Sequence, residues 1–111
     1  MDLHEDIVGD VLVLAVKGRI DSASAPALGA KLTDTLGAPE RRLVIDLRQL
    51  DYISSAGFRI LLLAARRAEE TGSRFVLCGV AGKVHQLFDL GGFLDLFPIS
   101  ASREDGIVAV R

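Results

Sequence analysis

Cysteine is nearly absent from this chain of 111 residues: Cys78 is the only one. No internal disulfide can form, and a lone thiol fits a reducing compartment. Basic charge is not in excess either. Thirteen Lys and Arg stand against 15 Asp and Glu, a formal net charge of −2 with both signs scattered. Phosphate backbones demand a concentrated basic face, which argues against nucleic acid as the main partner. Long apolar runs are missing: none exceeds the length of Ile60 to Ala65, far short of the roughly 20 residues a helix needs to cross a bilayer. The opening "MDLHEDIVGD" is acidic and mixed, unlike a secretory leader. The expectation is a cytoplasmic protein with no direct membrane insertion. There is no internal repeat, low-complexity stretch or linker, so residues 1–111 read as a single domain.

What is present is a well-stocked core, since 50% of the residues are hydrophobic. Such a chain can bury a core without cross-links. "DVLVLAVKG", Asp10–Gly18, reads as a β-branched and leucine-rich strand, and the turn "IVGDV" before it predicts an antiparallel partner at the start. Ser24–Leu36 places Leu28, Leu32 and Leu36 four apart on one helix face. Ser24 is the expected cap, Pro26 is tolerated in the first turn, and Gly37 and Pro39 end the helix. "RLVIDL", Arg42–Leu47, predicts a central strand. The stretch that follows, from Leu50, reads as a turn, and from Ser55 to Thr71 the pattern is helical. Phe58, Leu61, Leu62, Ala65 and Ala68 form its apolar stripe, with Gly72 as a left-handed stop. Arg74–Val80 predicts a buried strand, and Ala81–Leu90 a shorter helix ended by Gly91 and Gly92. "FPI" reads as a short edge strand, and the segment from Ser102 as a last helix weakened by Gly106.

Alternating strands and helices are the mark of right-handed parallel crossovers, so the fold class is α/β with an antiparallel first strand. In such sheets the loops leaving the carboxyl ends of the strands gather on one edge. Asp21 and Ser22 leave one strand; Ser54 and Ser55 leave the next. If those strands are neighbours, the two loops share a surface, which is the one candidate site the pattern produces.

The adjacent serines of "LDYISSAGFR" pose a question of their own, because one hydroxyl suffices to cap a helix. Four chemistries could use the other. A nucleophile elbow wants glycine two before and two after the serine; Gly57 supplies the second for Ser55, but Ile53 occupies the first place. The only histidines, His4 and His85, fall in the leading segment and mid-helix, away from strand-end loops. A phosphate loop is absent, since "CGVAGK" is two residues short between its glycines. A phosphate-accepting acidic cluster is poorly served by Asp46, inside its strand, and Asp51, well beyond it. A phosphorylation switch uses both serines, one to cap and one to be modified. Free amides and the helix dipole favour a phosphate there, and its charge of about −1.5 to −2 can abolish a protein contact without refolding.

"VIDLRQLDYISSAGFRILLLAARRAEETGSRFVLCGV" resembles the central block of STAS domains, the family of bacterial anti-sigma factor antagonists. "VLVLAVKGRIDSASAPAL" resembles the family's second strand, its Gly-x-x-Asp turn and its first helix. "VHQLFDLGGFLDLFPI" resembles the third helix and last strand, and "SREDGIVAV" the closing helix. The resemblance covers nearly the whole chain. It implies a mixed, mostly parallel sheet packed against helices.

The resemblance further implies partner switching by a domain that is not itself an enzyme and holds no cofactor or metal. Unphosphorylated, such a domain docks on an anti-sigma factor that is also a serine kinase of the histidine-kinase-like ATPase type, freeing the sigma factor. Phosphorylation dissociates the pair, and a metal-dependent serine phosphatase of the PP2C type resets it. Ser55 matches the acceptor, with Ser54 as the alternative; Gly57 matches a family glycine. Asp21 matches an aspartate bordering the kinase's nucleotide site in complexes. Ser54 is a departure, because many members carry aspartate there. The expected partner-binding set is Asp21, Ser22, Ser54, Ser55, Ala56, Gly57, Phe58 and Arg59. Arg59, one turn after Ser55, is expected as a solvated surface arginine, or else as a group that reaches a phosphate on that serine. Phe58 is expected on the core face, or else in the docking patch. Cys78 is expected as a small buried residue, and the phenylalanines of "FDLGGFLDLF" as core or as a second contact. Another STAS role stays open, as adaptor subunit of an ABC-type lipid transporter or of a sensor assembly like the stressosome.

Overall fold

The computed structural model describes all 111 residues. β1 (Asp2–Val8) and β2 (Val11–Ile20) form an antiparallel hairpin, turned at Gly9 with φ +63°. α1 (Ala25–Thr35) leads to β3 (Arg42–Asp46), which lies parallel to β2. After α2 (Ser55–Glu70), β5 (Arg74–Cys78) adds parallel to β3. β6 (Ile99–Ser100) follows α3 (Gly82–Leu90) and adds parallel to β5. The order is β1-β2-β3-β5-β6, and α4 (Arg103–Val110) closes the chain. The mixed, mostly parallel sheet with an antiparallel start is the expected architecture.

One strand was not expected. Leu50–Ile53, read as a turn, is a fourth strand, β4, and it is β4 that delivers the serine pair. It pairs parallel with the end of β2, where Gly18 (φ +94°) and a register shift after it turn the strand away from β3. β2 is thus shared: Leu12–Ala15 bond to β3, and Gly18–Ile20 to β4. Four residues, with only Leu50 and Ile53 buried, are too few to carry a legible strand pattern. β2 is correspondingly longer than Asp10–Gly18, while β5 stops at Cys78. The last strand is Ile99–Ser100 rather than "FPI", because Phe97 turns into the core.

Two cores flank the sheet. The larger lies under α1, α2 and α3 and holds Leu14, Ile20, Leu28, Leu43, Ile45, Leu61 and Phe88. The smaller lies under α4 alone, where Val11, Val13, Val44 and Val76 meet Ile107 and Val110. Gly106 is no mere weakness of α4. A Cβ there would come within 3.2 Å of Val44 Cγ1, so the glycine lets the helix lie close on the sheet. α2 ends as the sequence predicts: the amide of Ser73 donates to Ala68 O, and that of Gly72 (φ +67°) to Glu69 O, a left-handed stop.

The phenylalanines of the α3 region are core residues. Phe88 and Phe97 are buried, and Phe93 stacks on Phe58 with ring centroids 4.2 Å apart. The exposed apolar side chains of that segment are leucines, Leu90 at 86% and Leu96 at 55%. Asp46, 3% exposed, accepts from the Arg48 amide at 3.0 Å and pairs with its guanidinium at 3.3 Å, so its role is structural. Cys78 is fully buried; burial first, then the Asp46 carboxylate, push its thiol up to about 11.

Candidate functional site

The site begins where β2 and β4 end side by side. Ile20 pairs with Ile53, and one residue further the Ser54 amide donates to Ile20 O at 2.8 Å. This bond brings the loop of Asp21 and Ser22 against the start of α2. The two loops do share a surface, through β4 rather than β3.

Ser54 is the N-cap of α2. Its φ of −86° and ψ of 172° are extended, its Oγ accepts from the Gly57 amide at 3.2 Å, and its carbonyl accepts from the Phe58 amide. Ser55 follows as the first helical residue, exposed, with no hydrogen bond from its hydroxyl to another protein group. The amides of Ser55 and Ala56 precede the helical hydrogen-bond ladder, as the first amides of a helix do.

The next turn is fixed from below. A Cβ on Gly57 would stand 2.7 Å from both Ile20 Cγ2 and Ile53 Cγ1, so only glycine lets α2 sit on this strand pair. Phe58 is 5% exposed, between the stacked ring of Phe93 and the edge-on ring of Phe88, 4.8 Å away. Gly57 and Phe58, expected among the partner-contacting residues, therefore face inward. They hold the first turn in place, while Ser55 and Arg59 are exposed and Ala56 is half-buried against the core. The alternative of Phe58 as an exposed patch residue is corrected accordingly.

Across the gap, Asp21 organises its own loop. Its Oδ1 accepts from the amides of Ala23 (3.0 Å) and Ser24 (2.9 Å) and from Ser24 Oγ (3.1 Å). The Asp21 amide in turn donates to Ser24 Oγ at 2.9 Å, and that hydroxyl also reaches Arg19 O at 3.1 Å. The Ser24 amide is the main cause holding the Asp21 carboxyl below its ordinary value; the Ser24 hydroxyl, the Ala23 amide and the nearby Arg19 charge act in the same direction. Ser24 was expected to cap α1 with its own side chain. Instead it makes no such cap bond and closes the Asp21 turn, because its φ and ψ are already helical.

Ser22, Ala25, Pro26, Ser55, Ala56, Arg59, Ile60 and Leu63 line one cleft between α1 and α2. Sequence reading supplied Ser22, Ser55, Ala56 and Arg59 of this set and missed the others. Ile60 and Leu63 do leave a signal: the run Ile60–Ala65 is apolar on more of the helix than one buried stripe requires. Arg19, over the Tyr52 ring at 4.4 Å to its centroid, is a further feature of these strand ends that was not foreseen. His4 lies on β1 and His85 on α3, and neither lines the cleft, so Ser55 has no histidine base in it. No group of three or more His, Cys, Asp or Glu side chains could hold a metal ion. No helix is long and apolar enough to cross a membrane.

Comparison with known proteins agrees with this geometry. The family model of the STAS domain matches residues 4–106. A protein of Bordetella bronchiseptica named as anti-sigma factor antagonist BtrV is 39% identical, over 100% of this chain and 96% of its own. The crystal structure of an anti-sigma factor antagonist from Mycobacterium paratuberculosis superposes with a TM-score of 0.78 at 30% identity, covering 99% of this chain and 93% of that one. The Bacillus cell fate determinant SpoIIAA, solved in its phosphorylated form, shares the fold at a TM-score of 0.72 and 18% identity, covering 99% of this chain and 100% of that one. The chain thus belongs to the STAS domain family, as a relative of the anti-sigma factor antagonists.

Proposed function

We propose that this protein is an anti-sigma factor antagonist that works by partner switching, with Ser55 as the phosphorylated residue. The carrying observation is the division of labour between the serines. Ser54 Oγ is occupied by the Gly57 amide, whereas the Ser55 hydroxyl is exposed and unengaged at the helix start. The unmodified surface around Ser22, Ser55, Ala56 and Arg59 docks on a serine-kinase anti-sigma factor of the histidine-kinase-like ATPase type. Asp21, with its carboxylate held ionised by its own loop, borders that contact. A phosphate on Ser55 adds a dianion to the contact and expels the partner through desolvation and like-charge repulsion. A PP2C-type serine phosphatase restores the docking form. The domain catalyses no step itself.

Incubation with the kinase and ATP, followed by phosphosite mapping, tests this directly. Phosphate is expected on Ser55, none in Ser55→Ala, and retained modification in Ser54→Ala. Ser55→Asp is expected to bind the kinase at least about tenfold more weakly than wild type, a difference of roughly 1.4 kcal/mol. Equal binding by Ser55→Asp would remove the switch and leave the adaptor role, in which the STAS domain is a constitutive subunit of a larger assembly.

A further inference from the structure

The cleft at Ser55 does not end there. Pro26, Ile60 and Leu63 line it and also line a second depression, which runs on between α1 and α2 to Arg66, Arg67 and Glu70. The two form one groove. From Ser55 to Glu70 it follows α2 for 16 residues, about 22 Å at 1.5 Å per residue. Its floor is apolar: Leu63 is half exposed, and Ile60 rests against Gly29, where a Cβ would stand 2.9 Å from Ile60 Cδ1. Gly29 lets the two helices approach closely enough to make a shallow trough.

The rim is predominantly basic. Arg59, Arg66 and Arg67 line the groove, and Glu70 is the only acid that does. Glu70 pairs with Arg67 at 4.0 Å. Arg59 and Arg66 have no carboxylate within 4.0 Å. A protein of net charge −2 thus presents unpaired guanidinium groups along the depression between α1 and α2.

We propose that the α1–α2 groove is a docking site for an acidic amphipathic helix of a protein partner. Apolar side chains at three- and four-residue spacing fill the trough over Ile60 and Leu63, and carboxylates on the flanking face pair with Arg59 and Arg66. Helix-in-groove recognition fits the length, and the free arginines select the sign of charge. This deepens the partner-binding reading and rests on it for one point: Ser55 stands at the mouth of the groove. A phosphate there repels the acidic helix and engages Arg59, one turn away, as an internal competitor for the carboxylate.

The test uses the whole protein, isotope-labelled, and a panel of synthetic 18-residue peptides. One peptide is amphipathic with a Glu face, a second carries Lys in place of Glu, and a third has the acidic composition in scrambled order. The first is expected to shift amide resonances of residues 22–33 and 55–70, with affinity falling as salt rises. The double variant Arg59→Glu/Arg66→Glu is expected to weaken it by about tenfold or more. Both side chains are exposed, and a thermal melt checks the fold. Equal binding of the Lys peptide, binding by none of the three, or an unchanged affinity in the double variant overturns the proposal. So does a response of the same residues to phosphatidylglycerol vesicles but not to the acidic peptide, which would make the groove a lipid site. The two readings separate in Ser55→Asp. If it binds the kinase as wild type does while the arginine variant loses both kinase and peptide, the groove stands and the phosphorylation switch fails. If Ser55→Asp loses the kinase while the arginine variant binds the kinase as wild type does, the switch stands and the groove fails.

Discussion

The amide of Ser54 donates to the carbonyl of Ile20 at 2.8 Å, one step beyond the last paired residues of β2 and β4. That bond ties the start of α2 to the loop of Asp21. Both halves of the candidate site are consequently held by strand ends and not by free loops. Rigid placement of this kind is what a docking surface with little ordering cost requires.

Ser54 and Ser55 are predicted to differ in what their loss costs. Ser54→Ala removes the acceptor for the Gly57 amide and is expected to lower stability by about 1 kcal/mol, the usual loss of a helix cap. Ser55→Ala is expected to leave the denaturant midpoint unchanged, since its hydroxyl holds nothing. Urea titrations of the two variants measure this; a larger loss in Ser55→Ala would reverse the assignment of cap and acceptor.

Gly57→Ala is predicted to be destabilising although alanine is the better helix former. The new methyl would meet Ile20 and Ile53 side chains at 2.7 Å, inside a packed strand pair. Overpacking of this kind costs about 1–3 kcal/mol, more than the ~1 kcal/mol of helix propensity gained. Chemical denaturation of the purified variant is the measurement.

Acid should loosen the Asp21 turn late. The folded carboxyl titrates below its ordinary value of 3.8, held down chiefly by the Ser24 amide. Its contribution is complete above that value and is lost as pH falls through the lower, folded one. Amide shifts of Ala23 and Ser24, followed by NMR from pH 6 downward, are expected to stay flat until below about pH 4. Movement between pH 5 and 4 would show that the hydrogen bonds do not hold the carboxylate.

Cys78 is predicted to be inert in the native protein. A thiol pushed up to about 11 and fully buried offers almost no thiolate at neutral pH. A disulfide reagent at pH 8 is expected to label it at the rate of global unfolding, and urea to accelerate the reaction in step with loss of structure.

Long periodic segments were legible in the sequence. α2 carries a stripe, a cap and a glycine stop that agree with one another, and its observed span differs from the expected one by a single residue. β4 was not legible, because four residues with two buried give no period to count. The error mattered little to the site, since β4 stands beside β2 and returns Ser54 to the expected edge. Ser24 was misjudged for a different reason. Serine before a proline-containing first turn reads as a cap, and only the reciprocal bonds with Asp21 reveal it as part of the preceding loop. The arginine-rimmed groove could not be read from α2 alone, because it exists only where Gly29 of α1 admits Ile60.

Phe58 and Gly57 pin the first turn of α2 to the interior, while the neighbouring hydroxyl takes no part in holding the molecule together. On the proposed phosphorylation of Ser55, the added charge should therefore leave the fold intact, with the free amides of the helix start favouring it, and neither form should be singled out by proteolysis. The balance between them in a cell would then be set by the enzymes that add and remove the group, with no contribution from selective turnover of either form.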